Sequence, residues 1–283
     1  MKGYKAFEKG LICKGKQYAE NTVFEEDEAI VCQKGMHFCK NPFDVLDYYP
    51  LVDDKGEFSD FAEVEALDEP VTNDNKKFCS KKLKIGAKLS FSKFIEAMAS
   101  FEIEKIDETK VKTTKKDSAQ IGSSGDYAQI GSSGYYAKIG SSGDSAKISS
   151  SGYSAQIGSS GDYAQIGSSG DYAQIGSSGD SAQIGSSGYS AQIGSSGYYA
   201  KIGSSGDSAK ITSEGKYSVI CCAGNGSIAK GKVGSWITLS EWKFDKNEGC
   251  YIPVCVKTEK IDGVKIKADT FYKLENGEFV EVK

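Results

Sequence analysis

GDYAQIGSSGDYAQIGSSGD, residues 161–180, is one nine-residue unit written twice and begun a third time. The unit extends well beyond this stretch. Isoleucine recurs every nine residues from Ile121 to Ile220, and a glycine follows each one four residues later, from Gly125 to Gly224. Alanine stands two residues before each isoleucine except the last, where Ser218 replaces it. That makes twelve copies of G-[DY]-[SY]-A-[QK]-I-G-S-S over 117–224. A nine-residue period closes no helical face, and Gly-Ser-Ser-Gly would break a helix. Ala-Gln-Ile instead reads as a short strand, with Ala and Ile on one side and Gln or Lys on the other. Gly-Ser-Ser-Gly reads as a turn, with glycine expected to supply backbone angles closed to other residues. Strand and turn repeated without variation predict a parallel β-solenoid. One unit buries too little to order nine residues, whereas stacked units lay each Ile on its copy about 4.8 Å away. The copying is faithful because every unit packs on another. Two units per coil, a β-roll of about six coils and about 29 Å, is favoured over a three-unit triangular section.

The second and third places of the unit vary. Asp yields to Tyr at Tyr135, Tyr153, Tyr189 and Tyr198. One Asp at most per unit does not make the facing carboxylate stripes of a calcium-binding roll, so no metal is expected. The tyrosines should form ladders outside or at a corner, where they help stacking or make an aromatic contact stripe. Tyr127, Tyr136, Tyr163, Tyr172 and Tyr199 are the candidate binding residues. The same stripes predict a homo-oligomer, dimer or trimer. Solenoid ends need caps. Residues 225–283 are expected to supply one as a small β domain that also suits subunit contact. GSWITLSEW (234–242) reads as a strand. KIDGVKI (260–266) and YKLENGEFVEV (272–282) read as hairpins around Asp-Gly and Asn-Gly. Trp236 and Trp242 are assigned to its core.

Residues 1–110 have ordinary globular composition and predict an α+β domain, joined to the repeat by the polar stretch KVKTTKKD (110–117). YKAF (4–7), KQYAENTVFE (16–25), FAEVEAL (61–67) and KKLKIGAKL (81–89) read as strands. NPFDVLDYY (41–49) reads as a short helix capped by Asn41 with Pro42 at its first position, and SFSKFIEAMASFE (90–102) as another. The single histidine, His37, shares a strand face with Cys39. Glu63 and Glu65 lie on the face opposite Val64 and point to solvent or a cleft. His37, Glu63 and Glu65 are the candidate catalytic residues, with a half-buried histidine and a solvated strand face as the plainer readings.

Composition narrows the classes. The net charge is −4 and the pI about 5.3. No basic excess is available for nucleic acid. Every basic residue is lysine, which removes the bidentate fork used on phosphates and carboxylates. Eight cysteines show no C-x2-C spacing and no disulfide framework. The first residues have no apolar run of a signal peptide, and no apolar stretch reaches membrane-spanning length. A cytoplasmic protein without membrane or nucleic-acid partners is expected, and no cofactor is called for.

The order of YKAF, KGMHFC with a helix, and FAEVEA resembles the opening of ADP-ribosyltransferase-like folds. The resemblance implies that Tyr4 and Lys5 open the fold, that 37–39 occupy the place of a Ser-Thr-Ser element, and that Glu63 and Glu65 form an E-x-E pair. The chain departs from that pattern in having neither arginine nor Ser-Thr-Ser. GYKAF (3–7), KGMHFCKNPFDVLDYY (34–49), FAEVEA (61–66), the short S-A-x-I repeats and DTFYKLENGEFVEV (269–282) are similar to an uncharacterised family of bacteriophage and prophage sequences. That resemblance implies a phage or mobile-element setting, in a host cytoplasm or on a virion, and no activity.

The functional expectation is a non-enzymatic structural or binding protein. Its N-terminal domain would recognise a host protein or small molecule, and its solenoid would be a rigid mount. The alternatives are an ADP-ribosyltransferase-like enzyme and a binder of host signalling nucleotides.

Overall fold

The computed structural model describes residues 1–53, 57–103 and 111–282. Met1–Phe101 and Glu102–Lys283 form separate compact units. Among the described residues no helix is long and apolar enough to cross a membrane.

Strands dominate the first unit. A seven-stranded sheet runs, in spatial order, Thr22–Glu25, Lys82–Leu89, Asp60–Ala66, Lys2–Phe7, Met36–Cys39, Lys77–Ser80 and Val71–Thr72. The central strand Lys2–Phe7 is antiparallel to both neighbours, with Tyr4 opposite Glu63 on one side and Cys39 on the other. Alternation then sends two apolar sets to opposite faces. Ala6, Cys39 and Phe61 pack beneath the helix Phe91–Ile103 through Phe94, Ile95 and Met98. Phe61 and Phe94 stack at 3.7 Å between ring centroids. Phe91, Phe94, Ile95, Met98 and Ala99 recur at helical spacing, and the Ser90 hydroxyl accepts from the Lys93 amide at the N-terminus. The other face gathers Phe7, Phe38, Val64 and Ile85 with Leu11 and Tyr18. The expected helix at 41–49 is a 3-10 turn, Pro42–Asp47, and Asn41 caps it through the Phe43 amide at 2.9 Å. Asp60, buried, accepts from the Gly10 and Leu11 amides and from Lys88, which locks the loop after the central strand.

The second unit is the expected β-roll, with about seven turns over 112–239. Each residue stands over the one eighteen further on, as in Ile130 over Ile148 and Ile139 over Ile157. Two nonapeptides therefore make one coil. Alternate units feed a first sheet, which contains Gln129–Ser132, and a second, which contains Lys138–Ser141. The parallel stack begins and ends outside the repeat. Val111–Thr114, inside the stretch expected to be a joint, is already a rung of the first sheet. Inside, the repeat isoleucines from Ile121 to Ile220 and the alanines from Ala128 to Ala209 are buried. The serine two residues after each isoleucine but the last is also buried, and several of these hydroxyls, Ser141, Ser159, Ser168 and Ser177 among them, have no hydrogen-bond partner in the protein.

The turns correct one expectation. The repeat glycines from Gly134 to Gly224 do not adopt left-handed angles. The residue two places after each of them does: Ser or Tyr holds φ between 53° and 60° at all twelve third positions. Its amide is repaid by a carbonyl of the next coil, as in Tyr127 N to Asp144 O at 2.8 Å. Glycine is required for a different reason. A Cβ on Gly170 would lie 2.0 Å from the Gly152 carbonyl oxygen one coil below, and its counterparts are equally tight. The Asp at the second position also has a structural task. Its carboxylate accepts the second-position amide of the next coil, in a chain through Asp126, Asp144, Asp162 and Asp180.

At the C-terminal end, Trp236–Asp245 pairs parallel to Val219–Cys222 and returns as the long hairpin strand Cys250–Lys260. Tyr272–Glu275 and Glu278–Glu281 form the expected Asn276-Gly277 hairpin and continue the second sheet. Two expectations fail here. KIDGVKI is a loop rather than a hairpin, because Asp262 folds back to accept the amides of Val264, Lys265 and Ile266. The tryptophans are not core. Ile237, Leu239 and Glu241 take the inward positions, so alternation turns Trp236 to solvent and leaves Trp242 half-buried, its indole donating to the Ala223 carbonyl.

Candidate ligand-binding site

The first unit contains a cavity of 340 Å³ between the Lys2–Phe7 and Met36–Cys39 strands, the loops at 13–18 and 32–35, and the 45–49 segment. Lys5 is its deepest cation. Gly3, Lys5 and Phe7 share one strand face, which places a lysine where the alternation calls for an apolar residue. The ammonium donates to the His37 carbonyl at 2.8 Å and to Cys13 Sγ at 3.5 Å. It also lies 5.3 and 5.4 Å from the ring centres of Phe7 and Tyr18. Burial pulls its pKa below the ordinary lysine value, and Cys13 opposes that shift.

His37 also lines this cavity. Its Nε2 accepts from the Cys32 amide at 2.9 Å, so the neutral ring carries its proton on Nδ1. Burial, then the charges of Lys5, Lys77 and Lys14, push its pKa down to about 4. A histidine with this lone pair occupied is a positioned structural group. Lys77 lies 4.3 Å from the Tyr48 ring centre, and its ammonium is held above the ordinary range by a hydrogen bond with Cys32. Lys16 pairs with Glu26 beside the Tyr18 ring. Burial raises the phenols of Tyr18 and Tyr49, so both remain protonated donors.

Glu63 and Glu65 line a different concavity of 420 Å³ with Lys2, Lys40 and Lys84; Tyr4 borders both. The three candidate catalytic residues therefore do not converge in one cavity. The candidate tyrosines divide as well. The eighteen-residue coil puts Tyr136 and Tyr172 on one edge of the roll and Tyr127, Tyr163 and Tyr199 on the other. All five are exposed. On the first edge Tyr136, Tyr153, Tyr172 and Tyr189 form a continuous series of ring contacts, with centroids 5.2 to 6.1 Å apart. A trough of 980 Å³ runs along the outer face of the first sheet, where Gln129, Lys147, Gln165, Gln183 and Lys201 stand beside a row of mostly glycine. Its polar groups lie in file, whereas those of the N-terminal cavity converge.

Sequence reading missed Lys5 as a cavity residue, along with Cys13, Tyr18, Tyr49 and Lys77. Only one of them carried a signal: Lys5 breaks the apolar alternation of Gly3-Lys5-Phe7. The others meet it through loops whose paths no period describes.

Fold and site define a β-roll protein with an N-terminal antiparallel-sheet domain built around a basic, aromatic cavity. Residues 1–97, nearly the whole of that domain, match the family model described as Domain of unknown function (DUF7666). No curated protein and no solved structure matches the chain. The matched description names no activity, and it supplies neither the phage setting nor the ADP-ribosyltransferase likeness.

Proposed function

We propose that the N-terminal unit is a non-catalytic recognition domain for an anionic small molecule with a planar aromatic part, of the nucleotide class, and that the β-roll is its rigid scaffold. One observation carries the reading. Lys5, Lys14, Lys16 and Lys77 surround a cavity walled by Tyr18, Tyr48 and Tyr49, with Glu26 the one carboxylate in the lining among the described residues. Ammonium groups recognise phosphate or carboxylate as point charges, and the phenol rings offer faces for stacking. The engagement of His37 Nε2 and the separation of Glu63 and Glu65 favour binding over the transferase alternative. Free thiols fit an intracellular setting. The phage or mobile-element setting rests on sequence resemblance.

Calorimetric titration with AMP, ATP and NAD tests this. At least one should bind, and Lys77→Glu or Tyr48→Ala should weaken it by about tenfold, or ~1.4 kcal/mol. No heat from any of them, with both variants indistinguishable from the wild type, overturns the reading.

The tyrosine series on the first edge supports self-association as a second part of the proposal, because it is a contiguous exposed aromatic strip. Mass photometry should show a dimer or trimer that Tyr153→Ser with Tyr172→Ser shifts toward monomer. A wild-type monomer at micromolar concentration removes it.

A further inference from the structure

We propose that Cys13 and Lys5 form a modification site, at which a peroxide joins the cysteine sulfur to the lysine nitrogen through a reversible sulfenamide bond. The two side chains come from different strands, and the polar lining of the cavity brings them together. Lys5 Nζ lies 3.5 Å from Cys13 Sγ, and the Tyr49 hydroxyl donates to the same sulfur at 3.2 Å. Cys13 is only partly buried and lines the open cavity, so a small oxidant has access. Lys5 is confined behind it, with its ammonium already fixed by the His37 carbonyl.

The chemistry balances with one peroxide. The Cys13 sulfur attacks a peroxide oxygen, the O–O bond breaks and an S–O bond forms. The departing hydroxide leaves as water with the thiol proton, and Lys5 and Tyr49 are the neighbouring donors that can relay it. Sulfur is oxidised by two electrons and the peroxide is reduced. The Lys5 amine then attacks the sulfenic sulfur. An S–N bond forms, the S–O bond breaks, and the hydroxide takes a proton from nitrogen as it leaves. Thiol, amine and peroxide become sulfenamide and two waters. Sulfenic acids condense with nitrogen in this way when a nitrogen is held beside them. Burial of Lys5 assists by favouring the uncharged, nucleophilic amine. An excess of added thiol reverses the bond by attack at sulfur.

The bond turns the deepest cation of the cavity into a neutral group. Its consequence for ligands, weaker binding of anions after oxidation, rests on the function proposed above. The bond itself does not.

The test uses the full-length protein and hydrogen peroxide with no nucleotide present, so it is independent of that reading. Free thiols are alkylated and the chain is cut at glutamate. Glu8 separates Lys5 from Cys13, so the bond links peptides 1–8 and 9–20. Tandem mass spectrometry should find that linked pair about 2 Da below the sum of its parts, lost on treatment with dithiothreitol. Cys39→Ser should retain the link and Lys5→Arg should abolish it. Should Lys5→Arg fail to fold, the wild-type peptide map still decides. Recovery of Cys13 only as an alkylated thiol, a sulfinic acid, or a disulfide with Cys32 or Cys39 overturns the proposal.

Discussion

His37 is the residue whose environment most changes its meaning. Read from sequence, a lone histidine two residues from a cysteine is a candidate base. In the fold its Nε2 already holds the Cys32 amide, and burial beside Lys5, Lys77 and Lys14 keeps the ring neutral down to about pH 4. The sign of the stability effect follows from proton counting. Between 6.5, the unperturbed value, and about 4, the unfolded chain binds more protons at this site than the folded one. Its contribution is complete above pH 6.5 and is lost as pH falls through that window. His37→Gln keeps an acceptor for the Cys32 amide without a titrating ring. The difference in urea midpoint between wild type and this variant should therefore change steadily from pH 6.5 to 4 and stay constant from 7 to 8. A difference that does not move with pH would mean the ring titrates normally.

At the scale of the coil, two glycines three residues apart separate the two reasons for using glycine. Gly167 lies on the outer face of the first sheet with open space beyond its missing side chain; Gly170 faces the backbone of the coil below. Gly167→Ala should be neutral or stabilise by up to about 1 kcal/mol through the unfolded chain. Gly170→Ala should destabilise by about 3 kcal/mol, because both partners in the clash are backbone and neither can rotate away. Thermal or urea unfolding of the two variants checks this, and equal effects would contradict the coil spacing. The same comparison explains what was legible. Ile and Ala were readable as an inward row because alternation is a local property of a strand. The left-handed residue was not, since Ser and Tyr carry no local preference for that angle. They hold it because each turn amide finds a carbonyl in the next coil.

At the scale of the molecule, the alternation of sheets makes the repeat unit eighteen residues although the sequence period is nine. Ile228–Lys230 continues the second sheet and Trp236–Asp245 the first. Removing 153–170, one whole coil, leaves that arrangement intact. Removing nine residues, 162–170, offers each cap strand to the wrong sheet. The eighteen-residue deletion should fold with a circular dichroism spectrum like the parent and a cooperative transition. The nine-residue deletion should lose the transition or aggregate through the misplaced cap strands. Equal behaviour of both would show that the cap does not distinguish the two sheets.

The sequence alone determined the β-roll, its inward isoleucines and the Asn276-Gly277 hairpin, and it favoured the coil of two units that the strand register then fixed. Each of these depends on a residue and its near neighbours or on its own copies. Only the tertiary structure decided what identical residues do in different places. Lys147 is exposed on the first sheet, whereas Lys138 is buried on the second, although each occupies the same place in its unit. Only the tertiary structure brought Lys5, Cys13, Tyr49 and Lys77 to one cavity and sent His37 and Glu63 to different ones. The physical reason is that burial, charge proximity and hydrogen-bond partners are properties of position in space, and a period in sequence fixes position only within the element that repeats.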